Sequence, residues 1–136
     1  MQITTTHEIT PRRIADLMVT AIEGGIGYWC SGVKLRSAGD VNFDRVHKGP
    51  WYDNPEVYEN PELKIEVIEA EGSDGTENVT HTIGLKEMER GFVLLQTFGA
   101  DHCKGYCWKD FLSENEDATT ADVWLQLATF GELVYG

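Results

Sequence analysis

The chain has 136 residues, 41% of them hydrophobic and 25% charged, which fits one globular domain that can bury a core of its own. Twenty-three acidic residues against eleven basic ones give a formal net charge of −12. This charge repels nucleic acid and anionic lipid, so neither direct nucleic-acid binding nor membrane binding is expected. No stretch approaches the roughly 20 apolar residues of a membrane span.

The chain contains three cysteines, Cys30, Cys103 and Cys107. Their odd number, and an N-terminus without a basic and apolar leader, argue against a secreted disulfide framework. We therefore expect a protein of a reducing cytoplasm.

The first predicted element is a helix that follows Thr10 and Pro11, which are favoured at the N-cap and at the first helical position. Gly24 and Gly25 are predicted to end it. Its apolar residues recur at helical spacing: Ile14, Leu17, Met18, Ala21 and Ile22. Aromatic and branched residues from Ile26 to Leu35 then predict a strand.

The middle of the chain is predicted to form an antiparallel β-meander. Residues 37–62 are predicted to be irregular, since they contain two Asn-Pro-Glu turns. Apolar and charged residues alternate from Leu63 to Val67, as in a half-buried strand. Residues 71–76 are typical of a hairpin loop, and residues 79–83 form the predicted returning strand.

Helices dominate the predicted C-terminal part. Leu85, Met88, Phe92 and Leu95 indicate one helix, and a short one is expected around Trp108 and Phe111. The last predicted helix, from about Ala121 to Tyr135, is apolar except for a narrow stripe of Asp122, Gln126 and Thr129. Such a helix lies in the core or at an oligomer interface. The fold class expected is therefore α+β, with three to four meander strands packed against three to four helices in a single domain.

Sequence motifs of catalysis are missing: the chain has no phosphate-binding loop, nucleophile elbow or zinc-protease helix. We therefore predict no catalytic residue and no cofactor. His102, Cys103 and Cys107, completed by Cys30 or His81, could in principle bind zinc. Their spacing fits no common zinc pattern, so buried apolar cysteines are the favoured interpretation and no metal is predicted.

The first candidate site is an acidic face. Between Asp53 and Glu77 there are nine acidic residues and one basic one, and a second acidic cluster follows Asp110. Spaced carboxylates can imitate a phosphate backbone and dock on a basic groove of another protein. The alternative is a solvated loop and hairpin edge. The residues assigned to this face are Asp53, Glu56, Glu59, Glu62, Glu66, Glu69, Asp74, Glu116 and Asp117.

The second candidate site is an aromatic pocket. Three glycines between Gly24 and Gly27 allow a tight turn, and two large aromatic residues follow. A planar ligand could stack on the aromatic rings and donate hydrogen bonds to a nearby carboxylate. The alternative is a helix C-cap followed by a core strand. The predicted pocket residues are Glu23, Tyr28, Trp29, Asp122 and Gln126.

Two blocks of the sequence form recognisable patterns. The first runs from Thr10 to Trp29 and includes Glu23-Gly24-Gly25. The second runs from Asp117 to Gly136 and includes Phe130-Gly131-Glu132. Together they resemble a family of small proteins encoded by tailed bacteriophages and prophages. The resemblance implies a phage accessory protein in the cytoplasm of a bacterial host, a class that commonly antagonises bacterial defence systems. It carries over no catalytic residue and favours a binding protein over an enzyme.

Two functions follow as hypotheses. In the leading one, a phage-type inhibitor binds stoichiometrically, through its acidic face, to a basic surface of a host defence protein. In the alternative, a homo-oligomer built through the C-terminal helix sequesters a small nucleotide-like signalling ligand in the aromatic pocket. A small hydrolase or metal enzyme is the least favoured class.

Overall fold

In the part of the chain that the computed structural model describes, four α-helices and one three-stranded antiparallel sheet share one hydrophobic core. The structure describes Met1 and residues 7–39, 49–70, 79–102 and 106–136, with the backbone alone for residues 98–102. No described helix is long and apolar enough to cross a membrane. The predicted α+β class with a small β-meander is confirmed.

Helix α1 spans Pro11–Thr20 and begins where the sequence predicts. The Thr10 hydroxyl accepts a hydrogen bond from the Arg13 amide, and Pro11 occupies the first turn. The helix widens into a single π-helical turn over Ala21–Gly25 and ends at the predicted glycine pair. Its buried face consists of Ile14, Ala15, Leu17 and Met18.

The sheet follows chain order, with β1 (Cys30–Ser37), β2 (Lys64–Glu69) and β3 (Thr80–Ile83). Strand β1 starts four residues later than predicted. Residues 26–29 form a turn in which the Trp29 and Cys30 amides donate to the Ile26 carbonyl. Two 3-10 turns, Trp51–Asp53 and Pro55–Glu59, interrupt the predicted irregular segment and pack on α1. The predicted hairpin loop at residues 71–76 lies outside the described residues.

Three further helices follow among the described residues: α2 (Leu85–His102), α3 (Tyr106–Leu112) and α4 (Ala118–Phe130). Helix α4 begins at its N-cap Asp117 and ends at Gly131, which has a φ of 76°. The predicted extension to Tyr135 is therefore wrong, because Gly131 turns the chain and residues 131–136 fold back as a C-terminal segment.

Helix α4 is the centre of the core. Its residues Thr120, Ala121 and Val123–Ala128 are buried within one chain. Gln126, a member of the predicted polar stripe, is also buried and only 1% exposed. Of the two places predicted for so apolar a helix, the structure shows the core. The apolar surface of α4 is accounted for without a second copy, and the predicted homo-oligomer loses the observation on which it was based.

Gly25 allows α4 to start directly against the end of α1. A Cβ atom at Gly25 would lie 2.6 Å from the Ala118 carbonyl oxygen. We expect Gly25→Ala to lower the free energy of unfolding by about 1–3 kcal/mol, because the backbones must separate. Gly27→Ala is the matched control, since no atom lies within 4 Å of its Cβ position. Urea denaturation of both variants checks this, and equal shifts would contradict it.

Candidate functional site

Asp122 of α4 gathers the side chains of the predicted pocket. Its carboxylate accepts hydrogen bonds from the Tyr28 hydroxyl at 2.6 Å, from Trp29 Nε1 at 2.7 Å and from Gln126 Nε2 at 3.0 Å. Tyr28 and Trp29 belong to the turn before β1, so this carboxylate joins the turn to α4. Four of the five predicted pocket residues are thus brought together.

Gln126 attaches the C-terminal segment to the same cluster. Its Oε1 accepts hydrogen bonds from the backbone amides of Val134 at 3.0 Å and Tyr135 at 2.8 Å. Its Nε2 lies 3.2 Å from the Tyr135 carbonyl oxygen and 3.3 Å from the Tyr28 hydroxyl. A buried glutamine amide is therefore fully hydrogen-bonded, as burial of a polar group requires.

Trp29 is part of the core and not a ligand platform. Its side chain is 1% exposed. The Tyr135 ring stacks on it with centroids 5.6 Å apart and an interplanar angle of 7°, and Phe130 packs on it at 5.4 Å. The prediction that a planar ligand stacks on Trp29 is wrong for this structure, because Tyr135 already occupies that position.

Glu23 lies apart from the cluster. It is exposed on the π-helical turn and accepts a hydrogen bond from the Tyr52 hydroxyl at 3.1 Å. Tyr52 belongs to the 3-10 turn at residues 51–53. The assignment of Glu23 to the pocket is therefore wrong, since Glu23 joins the π-helical turn to the 3-10 turn at Trp51–Asp53 instead.

A groove of about 350 Å³ opens beside Asp122. Its walls combine polar and apolar side chains, and the Tyr28 side chain at its rim is 58% exposed. Partial burial, followed by the nearby Asp122 carboxylate, raises the pKa of Tyr28 to about 12, so this hydroxyl remains a donor. The described lining contains no basic residue; it consists of Tyr28, Thr119, Asp122, Val123, Gln126, Leu133, Val134, Tyr135 and Gly136.

Three residues of the predicted acidic face, Glu56, Glu59 and Glu62, are exposed and have no side-chain partner among the described residues. Glu56 and Glu59 share one 3-10 turn, in which side chains three residues apart lie on the same side. Val57 and Tyr58 between them are buried and fix the turn to the core. We call Glu56, Glu59 and Glu62 the acidic row.

Five other members of the predicted face have partners. Asp53 pairs with Arg12, and Glu66 lies 3.4 Å from Arg36. Glu69 Oε1 lies 3.0 Å from His81 Nε2, and its other oxygen accepts from the Tyr135 hydroxyl at 3.2 Å. Glu116 forms an ion pair with Arg13. Asp117 caps α4 by accepting a hydrogen bond from the Thr120 amide.

The predicted single face of nine carboxylates is therefore wrong in extent. The side chain of Glu116 is only 8% exposed, so its charge is buried against Arg13 and cannot meet a partner. Asp117 is committed to the α4 cap, and Asp74 lies outside the described residues. The freely available part of the face is the acidic row.

The cysteines do not gather around a metal in the part of the chain that the structure describes. Cys30 and Cys107 are buried, and no group of three possible metal ligands is found there. Burial raises the pKa of the Cys30 thiol, as expected of a core cysteine. Cys103 lies outside the described residues, and His81 is bonded to Glu69.

Sequence reasoning missed two residues that organise these sites, Arg13 and Tyr135. Arg13 at the positive end of α1 is unfavourable for the helix dipole, and that local conflict was its only signal. Tyr135 was placed on a continuous helix, although Gly131 already marked a helix end. Comparison with protein-family models, with curated proteins and with solved structures finds no match to this chain.

Proposed function

We propose that the protein acts by stoichiometric binding, through its acidic row, to a basic surface of a host defence protein. The phage-type role follows from the resemblance of the two sequence blocks. The acidic row supports the binding mode, because its three carboxylates are exposed and have no partner in the described part of this chain of net charge −12.

The acidic row is held on a fixed support. The buried Val57 and Tyr58 anchor its 3-10 turn, and the Tyr58 hydroxyl donates to the Tyr52 carbonyl at 2.7 Å. Arg12 joins the neighbouring Asp53 to Asp16 of α1. A positioned row of charge loses less conformational entropy on binding than a loose one, and it steers a basic partner into register.

The groove gives less support to sequestration of a nucleotide. A nucleotide carries negative phosphates, and the groove presents the Asp122 carboxylate with no basic residue in its described lining. Like charges in a partly desolvated site disfavour binding. The acidic row therefore supports a basic protein partner better than the groove supports an anionic ligand.

Capture from the lysate of a host strain tests the proposal. We expect the wild-type chain to retain a basic protein at about 0.1 M salt and to release it towards about 1 M, because the attraction is screened. The triple variant Glu56→Gln, Glu59→Gln, Glu62→Gln is expected to lose this protein. An infection assay in strains that each carry one defence system gives a second measurement. There we expect the wild-type chain to restore phage plating and the triple variant to lose this effect.

The matched control removes three other exposed carboxylates, through Glu89→Gln, Glu114→Gln and Glu132→Gln. Both triple variants change the net charge by the same amount, so only the position of the charge differs. Capture that survives in the acidic-row variant, or that is insensitive to salt, would overturn the proposal. Equal loss in both variants would show that net charge, and not the row, is responsible.

A further inference from the structure

We infer that the groove beside Asp122 binds an arginine side chain of a protein partner. The inference rests on the proposed function, because it takes the partner to be a basic protein. It adds a second contact point, with a definite shape, to the acidic row. Three features carry it: an uncompensated carboxylate, an aromatic and apolar wall, and a fixed frame.

The carboxylate of Asp122 has no cationic partner among the described residues. All three of its hydrogen bonds come from neutral donors, on Tyr28, Trp29 and Gln126. In contrast, the half-buried Glu66 and the buried Glu116 each pair with an arginine of the same chain. A carboxylate offers about four acceptor positions, so Asp122 can accept one more donor and has a full charge to neutralise.

The walls of the groove suit the rest of an arginine side chain. Tyr28 and Val134 are two of the large apolar residues that remain exposed, and both line this groove with Val123 and Leu133. Apolar walls cover the methylene stem of a long basic side chain, and a tyrosine ring attracts a guanidinium over its face. The planar guanidinium also matches a carboxylate better than an ammonium does.

The groove is preorganised by the same bonds that shape the core. Gln126 fixes the Val134 wall through two backbone amides, and Tyr135 is stacked on the buried Trp29. A wall that is already ordered adds little entropy cost on binding. An arginine entering here would find carboxylate, ring and apolar wall at fixed positions.

Titration of the isotope-labelled full chain by NMR tests the inference. The probes are an acetylated and amidated Gly-Arg-Gly peptide and the same peptide with neutral citrulline. We expect saturable shifts of the Trp29 indole N–H and the Gln126 side-chain amide with arginine. Citrulline is expected to bind at least about tenfold more weakly, because its hydrogen bond to Asp122 lacks the charge.

Two variants keep the test decisive. Asp122→Asn is expected to abolish the arginine preference, but it also disturbs the Tyr28 and Trp29 bonds. Tyr28→Ala changes an exposed side chain and is expected to weaken arginine binding about 2–5-fold. Glu132→Gln, an exposed carboxylate next to the groove in sequence, is the control and is expected to bind as the wild type does.

Equal binding of the two peptides, or shifts confined to the backbone of residues 56–62, would overturn the inference. The proposed function is judged separately, by the acidic-row variant in lysate capture. Loss of the groove titration with intact capture would leave the proposed function standing. If the acidic-row variant still captures the partner and the groove titration is intact, the proposed function fails and arginine binding in the groove stands.

Discussion

Replacing Trp29 by alanine is expected to lower the free energy of unfolding by about 3–5 kcal/mol. The indole is 1% exposed and packs between Tyr135 and Phe130. Its removal leaves a cavity, takes a donor from the Asp122 carboxylate and removes the ring on which the C-terminal segment lies. Each of these losses acts on the fold and none requires a ligand.

Urea denaturation, followed by circular dichroism, measures this loss. The control is Tyr106→Ala, because Tyr106 is 62% exposed and its removal should change the free energy of unfolding by no more than about 0.5 kcal/mol. Trp29→Phe should fall between the two, since it keeps a ring against Tyr135 but loses the bond to Asp122. A Trp29→Ala loss below about 1 kcal/mol would show that the indole is not a core residue.

The sequence predicted those elements whose signals are local. Thr10, Pro11 and the Gly24-Gly25 pair mark both ends of the first helix within a few residues, and the structure places both ends there. The alternation from Leu63 to Val67 likewise identified β2. Patterns of this kind involve residues close together in the chain, so they can be recognised before the distant neighbours are known.

Errors arose where a residue's role depends on a distant partner. Gln126 belongs to the narrow polar stripe of a helix predicted to be otherwise apolar, and only the returning C-terminal segment makes its burial favourable. Glu116 lies in an acidic stretch, but Arg13, 103 residues earlier, pairs with it. Composition cannot separate a free carboxylate from a paired one, because the pairing is set by the packed fold.

The pocket prediction is right about the proximity of four residues and wrong about Trp29, which packs in the core. Tyr28, Trp29, Asp122 and Gln126 do meet, although Tyr28 and Asp122 are 94 residues apart. The sequence predicts these aromatic and polar residues as ligand contacts, yet in the structure they hydrogen-bond to one another. The same residue types build hydrogen-bonded cores and binding sites, so only exposure separates the two uses.

Replacing Arg13 by methionine is expected to cost about 3–5 kcal/mol, because it leaves the Glu116 carboxylate buried without its cation. The Arg13 guanidinium donates hydrogen bonds to both carboxylate oxygens of Glu116 and to the Phe111 carbonyl. Its Cζ also lies 4.4 Å from the centroid of the Phe111 ring. One side chain thereby ties α1 to α3 and to the start of α4. Urea denaturation of the full chain gives the loss directly.

The neighbouring arginine provides the control for this loss. Arg12 also forms ion pairs, with Asp16 and Asp53, but its side chain is 47% exposed and solvent screens the charges. Arg12→Met is therefore expected to cost no more than about 1 kcal/mol. Equal losses in the two variants would show that burial of the Arg13 pair contributes nothing.

Removing both members of the buried pair separates its charge from its packing. In Arg13→Met with Glu116→Leu no carboxylate remains to be desolvated, so most of the single-variant loss should be recovered. Without recovery, the Phe111 contacts of Arg13 would be the dominant contribution. With recovery, Glu116 is confirmed as a structural charge, and the acidic surface open to a partner is limited to carboxylates outside this pair.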